Sequence, residues 1–346
     1  MATAQQARPA DERVRSLGLT RVLLARPELG AIAGTILVWL LFAILAGDRG
    51  FLSVRGTATY LEVAAQVGII GSAVALLMIA GEFDLSVGSM IGAASMIIAI
   101  GIAELGWPVW FAVLAAFAFA LVVGFINGYI VVRTRLPSFI VTLGMLFILR
   151  GLTIGATRTM TGRTQVPGVH QATEGDPFAA IFTTQFGEFD VVIAWWIGIA
   201  LLATFVLMRT QFGNWIFGVG GNAIAARNVG VPVNRVKILL FMATSASAAL
   251  LAVIQVLTFG SGDVLRGEQK EFEAIITAVI GGTLLTGGYG SAIGAVFGAL
   301  TLGITRQGLF FAGISSDWYQ AFLGLLLLTA VLINNWVRSR ASRVRH

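Results

Sequence analysis

Apolar runs close to twenty residues long recur along this chain, and no other feature restricts its possible folds so strongly. About 20 apolar residues in a helix cross the ~30 Å hydrocarbon layer of a membrane. The core of a water-soluble domain does not repeat that length again and again. Of the 346 residues, 57% are hydrophobic and 12% charged. A soluble domain carries about 25% charged residues, so too little polar surface remains to cover this chain in water. Backbone groups in hydrocarbon must be satisfied within their own segment or a closed barrel, and runs of this length call for helices. Ten spans can be drawn, over residues 30–46, 60–80, 85–103, 107–132, 139–155, 191–208, 238–258, 272–285, 291–310 and 318–337. The eighth is short, which suggests a broken or re-entrant element. The expected class is therefore an all-α polytopic membrane protein with about ten transmembrane helices.

The formal charge is +6 and the pI near 10.4, values that in a soluble protein suggest nucleic acid. The positions argue for topology instead. With the N-terminus inside, ten spans bring the C-terminus back inside, and 15 of the 23 basic residues then share one side. They are Arg8, Arg13, Arg15, Arg21, Arg26, Arg133, Arg135, Arg209, Arg227, Arg235, Lys237, Arg338, Arg340, Arg343 and Arg345. Loops assigned to the other side hold most of the acids, among them Asp48, Glu104, Glu174, Asp176, Glu188, Asp263 and Glu268. Lys and Arg concentrate on the cytoplasmic side of membrane proteins, so an even span count fits and a nucleic-acid partner does not. The layout is a cytoplasmic tail over 1–29, a transmembrane domain over 30–337 with a cytoplasmic loop at 209–237, and a cytoplasmic tail over 338–346. The polar segment 156–189 reads as an exposed loop on the opposite side. The tail's length and the continuing spans argue against a cleaved signal peptide. There are no cysteines and only two histidines, His170 and His346, so neither disulfides nor a His-rich metal cluster is expected.

Three segments stand out. In Gly81-Glu82-Phe83-Asp84-Leu85-Ser86-Val87-Gly88-Ser89, two carboxylates fall between two apolar spans. An ionised Asp at mid-bilayer costs about 2.5–3.5 kcal/mol, so Asp84 is expected at a boundary or facing protein. Asp84 or Ser86 is placed to cap the third span, and a direct role in coupling or transport is the alternative. In the 209–237 loop, Gly220 and Gly221 precede a short helix over 222–228 with Asn222 as its N-cap, and Gly230 and Pro232 end it. Held between breaks, this helix suits a partner's groove or a lipid surface. The third segment runs from Glu271 through Gly281 and Gly282 to Gly290, after which Gly294 and Gly298 repeat every four residues. Such ladders let helices approach closely; a hinge near a pathway is the other reading. A six-residue echo, Gly88–Ala93 against Gly290–Ala295, hints at an internal repeat.

Absences narrow the function. No G-x-x-x-x-G-K-[ST] phosphate loop occurs, so ATP is not hydrolysed here by that route. Ionisable residues within the spans are few (Glu62, Arg150 and Arg306), whereas proton- or ion-driven carriers usually need such relays. No triad or carboxylate pair supports an enzyme.

Taken together, Gly81–Ser89, Arg209–Lys237 and Glu271–Ser291 resemble the signatures of ribose/xylose-type permeases of bacterial ABC sugar importers. Those are G-[GE]-x-D-L-S-V-G-S, the R-T-x-x-G…G-G-N-x-x-A-A-R-x-x-G stretch, and E-x-[DE]-A-I…G-G-T-x-x-x-G-G-x-G-S. Smaller matches at Gly124–Gly128, Pro137–Gly144 and Arg150-Gly151 lie in order between them, and the resemblance covers about residues 80–335. Glu82 stands where glycine is common, Lys270 where an aromatic is common, and Asn228-Val229 where Leu-Ser is usual. The resemblance implies a ten-helix fold of the cobalamin-permease (type II importer) kind in the bacterial inner membrane, needing no cofactor. It also implies a second permease copy, a cytoplasmic ATPase with two fused nucleotide-binding domains, and an extracytoplasmic sugar-binding protein. Gly221, Asn222, Ala226, Arg227 and Gly230 would then mark the ATPase-coupling segment. Asp84, Ser86, Gly88, Gly281, Gly282 and Gly290 would mark the transport signature. Candidate pathway groups are Gln66, Asn127, Thr142 and Gln255, each equally suited to bonding between helices. Arg55, Arg158, Arg163 and Arg266 are docking candidates by charge alone. Rival readings are a permease for a nucleoside, polyol or quorum signal, and a carrier that works alone.

Overall fold

The computed structural model describes residues 27–343, and side chains over 28–332. The N-terminal arginines and Arg345 lie outside the described residues. Helix α1 covers Pro27–Ala46, α2 Val54–Ile79, and α3 Val87–Ala99 with a wider turn on to Glu104. Next come α4, Val109–Thr134, and α5, Ser138–Thr161. A structured connection follows: β1 at Gln165–Val166, α6 at Val169–Ala172, α7 at Pro177–Thr183, and a hairpin of β2 (Gln185–Phe186) and β3 (Phe189–Asp190). Then α8, Val192–Arg209, leads into α9, Gln211–Asn228, and α10, Val233–Phe259. After β4 at Gly262–Asp263, which pairs with β1, come α11 (Lys270–Ile280), α12 (Ala292–Phe311) and α13 (Tyr319–Arg343).

Among the described residues, eight helices are long and apolar enough to cross a membrane. They are α1 to α5, α8, α10 and α12. The short α11 and the terminal α13 stand where the other two expected spans were drawn. Helices α2, α3 and α10 form the buried centre, while α1, α5 and α8 expose large apolar side chains such as Ile44, Phe147 and Leu201. An outer face of that kind suits hydrocarbon rather than water.

Two differences from the sequence reading are informative. The segment 156–189, read as a loop, is folded: α5 runs on to Thr161, and Asp176 caps α7 by accepting the amides of Phe178 and Ala179 at 2.7 and 3.2 Å. The 209–237 loop is mostly helix, because α9 begins at Gln211 and α10 already at Val233. Apolar periodicity alone does not reveal helices shorter than a span.

Candidate functional site

Two spans are discontinuous, and they meet inside the bundle. Residues 81–86 are irregular before α3 starts, with turns at Gly81 and at Leu85–Ser86. Asp84 bonds to Thr244, and Glu82 is paired with Lys237, seven residues nearer the start of α10. The stretch therefore climbs into the bundle from the end that carries α9. From the opposite end, residues 262–267 descend along α3. A Cβ on Gly262 would press on Ala99, one on Gly92 would strike the Val264 carbonyl, and one on Gly267 would strike the Gly88 carbonyl. Helix α11 starts only there. Its 11 residues cover about 16 Å, roughly half the hydrocarbon layer, so the short eighth span is a broken one. Irregular backbone at such depth is tolerated only when enclosed by protein. Here the enclosure depends on glycine: any side chain at Gly88 would collide with the Glu271 carboxylate and the Gly267 carbonyl. Glu271 is 3% exposed and its Oε2 has no hydrogen-bond partner in the protein. Its carboxylate sits against the positive N-terminal end of α3, a relationship no local sequence signal announces.

Asp84 is fully buried and every bond it makes is to a hydroxyl or an amide. Its Oδ1 accepts the Ser86 amide at 3.0 Å and the Ser86 hydroxyl at 2.6 Å, and Oδ2 accepts the Thr244 hydroxyl at 2.6 Å. Ser86 Oγ in turn accepts Asn127 Nδ2 at 2.9 Å. The Leu85 amide donates to Thr142 Oγ1 at 3.1 Å and the Phe83 amide to Ser138 Oγ at 3.0 Å. Helices α4, α5 and α10 thus supply the partners that the irregular backbone lacks. The expected helix cap is not formed, since no side chain accepts a first-turn amide of α3; Asp84 is spent on orienting Ser86. Two pathway candidates, Asn127 and Thr142, belong to this network. The other two, Gln66 and Gln255, join α2 to α10 at 3.0 Å. Only the glutamine pair bonds helix to helix; Asn127 and Thr142 bond to the irregular stretch before α3.

At the α9 end the three singled-out segments converge on glycines. Gly81, Gly287 and Gly288 have φ of +84°, +76° and +74°, a region that favours glycine. The Gly288 amide donates to the Ile79 carbonyl at 2.8 Å. Gly220 lies between them, and a Cβ there would overlap the Ile79 carbonyl and crowd the Gly288 amide. Beyond this junction α9 bends at Asn222, whose φ of −159° and ψ of 99° are not helical. Its Oδ1 accepts the amides of Ile224 and Ala225 at 3.0 and 2.9 Å, which is the N-cap expected for the short helix. Within that helix Ala226 is buried, while Ile224 is 74% and Val229, just after it, 81% exposed. Arg227 is held to Asn234 at 3.0 Å, and Gly230 turns the chain with φ +88°. At the third segment, Gly294 and Gly298 abut the carbonyls of Gly281 and Thr277, so the ladder packs α12 against α11, and Gly290 packs on Thr283 and Ile79. Gly282 has φ +88° in the turn leaving α11.

The two copies of the sequence echo differ locally. Ser291 caps α12 by accepting the Gly294 amide, whereas Ser89 lies inside α3, and the broken partner of α3 is α11. Two docking candidates are also committed elsewhere. Arg163 faces Glu104 at 3.4 Å, and Arg266 donates to the Gln255 carbonyl and to Ser261.

Comparison with known proteins agrees with this architecture. Residues 56–331 match the family described as the branched-chain amino acid transport system permease component. The probable ABC transporter permease protein YphD of Escherichia coli K12 is 32% identical over 92% of this chain and 92% of its own length. The fructose import permease FrcC of Rhizobium meliloti is 31% identical, over 89% of this chain and 85% of its own. The ribose import permease RbsC of Escherichia coli K12 is also 31% identical, over 82% and 87%. No solved structure matches the chain.

Proposed function

We propose that this chain, which belongs to the family of branched-chain amino acid transport system permease components, carries a monosaccharide across the bacterial inner membrane. Its relatives are permease subunits of ABC transporters, not enzymes, and those aligned over most of its length include ribose and fructose importers. In this reading a pentose or hexose arrives on an extracytoplasmic binding protein. The driving force comes from a cytoplasmic ATPase that holds both nucleotide-binding domains, acting on a pair of permease copies. The α9 end, with both termini, faces the cytoplasm.

One observation carries the reading. The exposed helix after Asn222 is joined through Gly220 and Gly221 to the same glycine junction that holds Gly81 and Gly287–Gly288. A push on that helix therefore reaches both discontinuous spans directly. Gly81 leads into the Asp84 turn and α3, and Gly288 into the irregular stretch between α11 and α12. Contiguous rigid contacts of this sort are how a partner's movement is passed on. Asn127 and Thr142 act by holding the Asp84 turn, and Gly281, Gly282 and Gly290 by letting α11 and α12 slide in close contact.

The test is a reconstituted complex with the ATPase and binding protein. Disrupting Gly221–Gly230 should abolish sugar-stimulated ATP hydrolysis and uptake while the permease stays folded. Undiminished stimulation would refute the coupling role. Uptake by the chain alone in vesicles, without ATP, would favour a self-sufficient carrier.

A further inference from the structure

At the α9 end of the bundle, α4 finishes and α10 begins side by side. A Cβ on Gly124 would strike the Met242 Cα, and one on Gly128 the Ile238 Cα, so the two helices run antiparallel in backbone contact. Carried three residues further, that register sets Arg235 level with Val131, about 3 Å along the axis from Arg133. Val131, Val233 and Val236 share one buried cluster. Arg135 ends α4 with φ +59°, and Arg227 is drawn to the same place by its bond to Asn234. Arginines from three segments therefore gather at one junction.

Arg133, Arg135 and Arg235 are exposed, and among the described residues none of them forms an ion pair. Glu82, the carboxylate beside the start of α10, is taken by Lys237. Each helix also carries apolar surface on the membrane side of its arginine. On α4, Tyr129 and Ile126 stand four and seven residues before Arg133 and are 51% and 38% exposed. On α10, Leu239 stands four residues after Arg235 and is 51% exposed. Spacings of three and four put these residues on one face of their helix. Both helices are long and apolar enough to cross a membrane, so the apolar part of each face lies at hydrocarbon depth and the arginines stand at its edge.

Topology alone asks for positive charge anywhere at this end. It does not ask for unpaired guanidinium groups that continue apolar stripes on two helices in contact. Guanidinium forks bind phosphate oxygens in pairs, and the step from cation to apolar stripe suits a ligand with an anionic head and hydrocarbon tails. A soluble acidic partner would meet the arginines but not Ile126, which lies about 10 Å deeper along α4. We propose that Arg133, Arg135 and Arg235 hold the headgroup of one anionic phospholipid, whose acyl chains run along Tyr129, Ile126 and Leu239. Bound there, the lipid brackets the junction of α4 with α10, beside the helix that follows Asn222. The proposal does not depend on the transport reading.

The test uses the purified full chain in detergent, titrated with phosphatidylglycerol or phosphatidylcholine and read by native mass spectrometry. Phosphatidylglycerol is expected to bind saturably, about tenfold more tightly than the zwitterionic lipid. Arg133→Gln/Arg235→Gln should remove that preference, whereas the charge-matched Arg55→Gln/Arg158→Gln at the opposite end should keep it. Arg235→Gln alone, expected to lose most of the preference, serves if the double variant fails to fold. Equal affinity for both lipids would overturn the site. So would a preference that survives in folded Arg133→Gln/Arg235→Gln, or one that falls equally in the control. Inorganic phosphate displacing the lipid at the same concentration would also overturn it, because a soluble anion would then suffice.

Discussion

The amide of Gly288 donates to the carbonyl of Ile79, the last residue of α2, across 2.8 Å. That single bond fastens the irregular stretch after α11 to the point where the chain leaves α2 for the Asp84 turn. Gly220 of α9 fills the space beside it, so three segments distant in sequence share one backbone contact.

Neighbouring glycines at this junction should respond differently. Gly220→Ala puts a methyl group into the Ile79 carbonyl, whereas nothing lies within 4 Å of a Cβ at Gly221. Overpacking of this kind typically costs about 1–3 kcal/mol. Unfolding of the purified protein should show that loss for Gly220→Ala and almost none for Gly221→Ala. Equal effects would mean the junction is not packed as described.

Asp84→Asn and Asp84→Ala should also separate. In the Asn variant Oδ1 still accepts from Ser86. Nδ2 donates to Thr244, whose hydroxyl then turns fully to the Phe241 carbonyl 2.9 Å away. In the Ala variant the buried Ser86 amide and hydroxyl lose their acceptor, at about 1–3 kcal/mol for each group left unsatisfied. Thermal scans should therefore rank Asn well above Ala.

Glu82 and Lys237 form an ion pair with side chains only 10% and 20% exposed. Removing one partner of a buried pair costs about 3–5 kcal/mol, and the low end applies to this partly hydrated one. Glu82→Lys or Lys237→Glu alone should destabilise by about that amount, and the double exchange should recover most of it. The pair Arg163–Glu104, with side chains 55% and 39% exposed, should give less than about 1 kcal/mol in the same cycle.

Ile224 and Val229 present apolar surface with no neighbour to cover it. Replacing both with serine should leave unfolding unchanged, because neither is buried. In the assembled complex the same change should lower sugar-stimulated ATP hydrolysis about tenfold, the effect of ~1.4 kcal/mol. A complex that kept its full rate would assign that surface to something other than the ATPase.

Much of this protein is legible along the chain because hydrophobic length and helix-breaking residues are local properties. The runs of apolar residues placed the helices to within six residues of their observed ends. The Asn222 cap could be read because its acceptor and donors lie within three residues. By contrast, the capping role expected for Asp84 failed. Its oxygens are claimed by Thr244, 160 positions away, and by a Ser86 that Asn127 holds in place. The contact of Glu271 with Gly88 went unread for the same reason, since Gly88 belongs to another span.

From the residues alone follow a membrane bundle, its breaks and its charge layout, since each depends on the solvent that a short stretch of chain can tolerate. Only the folded chain decided that α3 and α11 are the broken pair meeting mid-bundle, and that glycines from three segments share one junction. Those outcomes depend on how closely distant backbones approach and which distant donors satisfy a buried carboxylate. Such distances are set by packing between helices, and no local pattern of residue types encodes them.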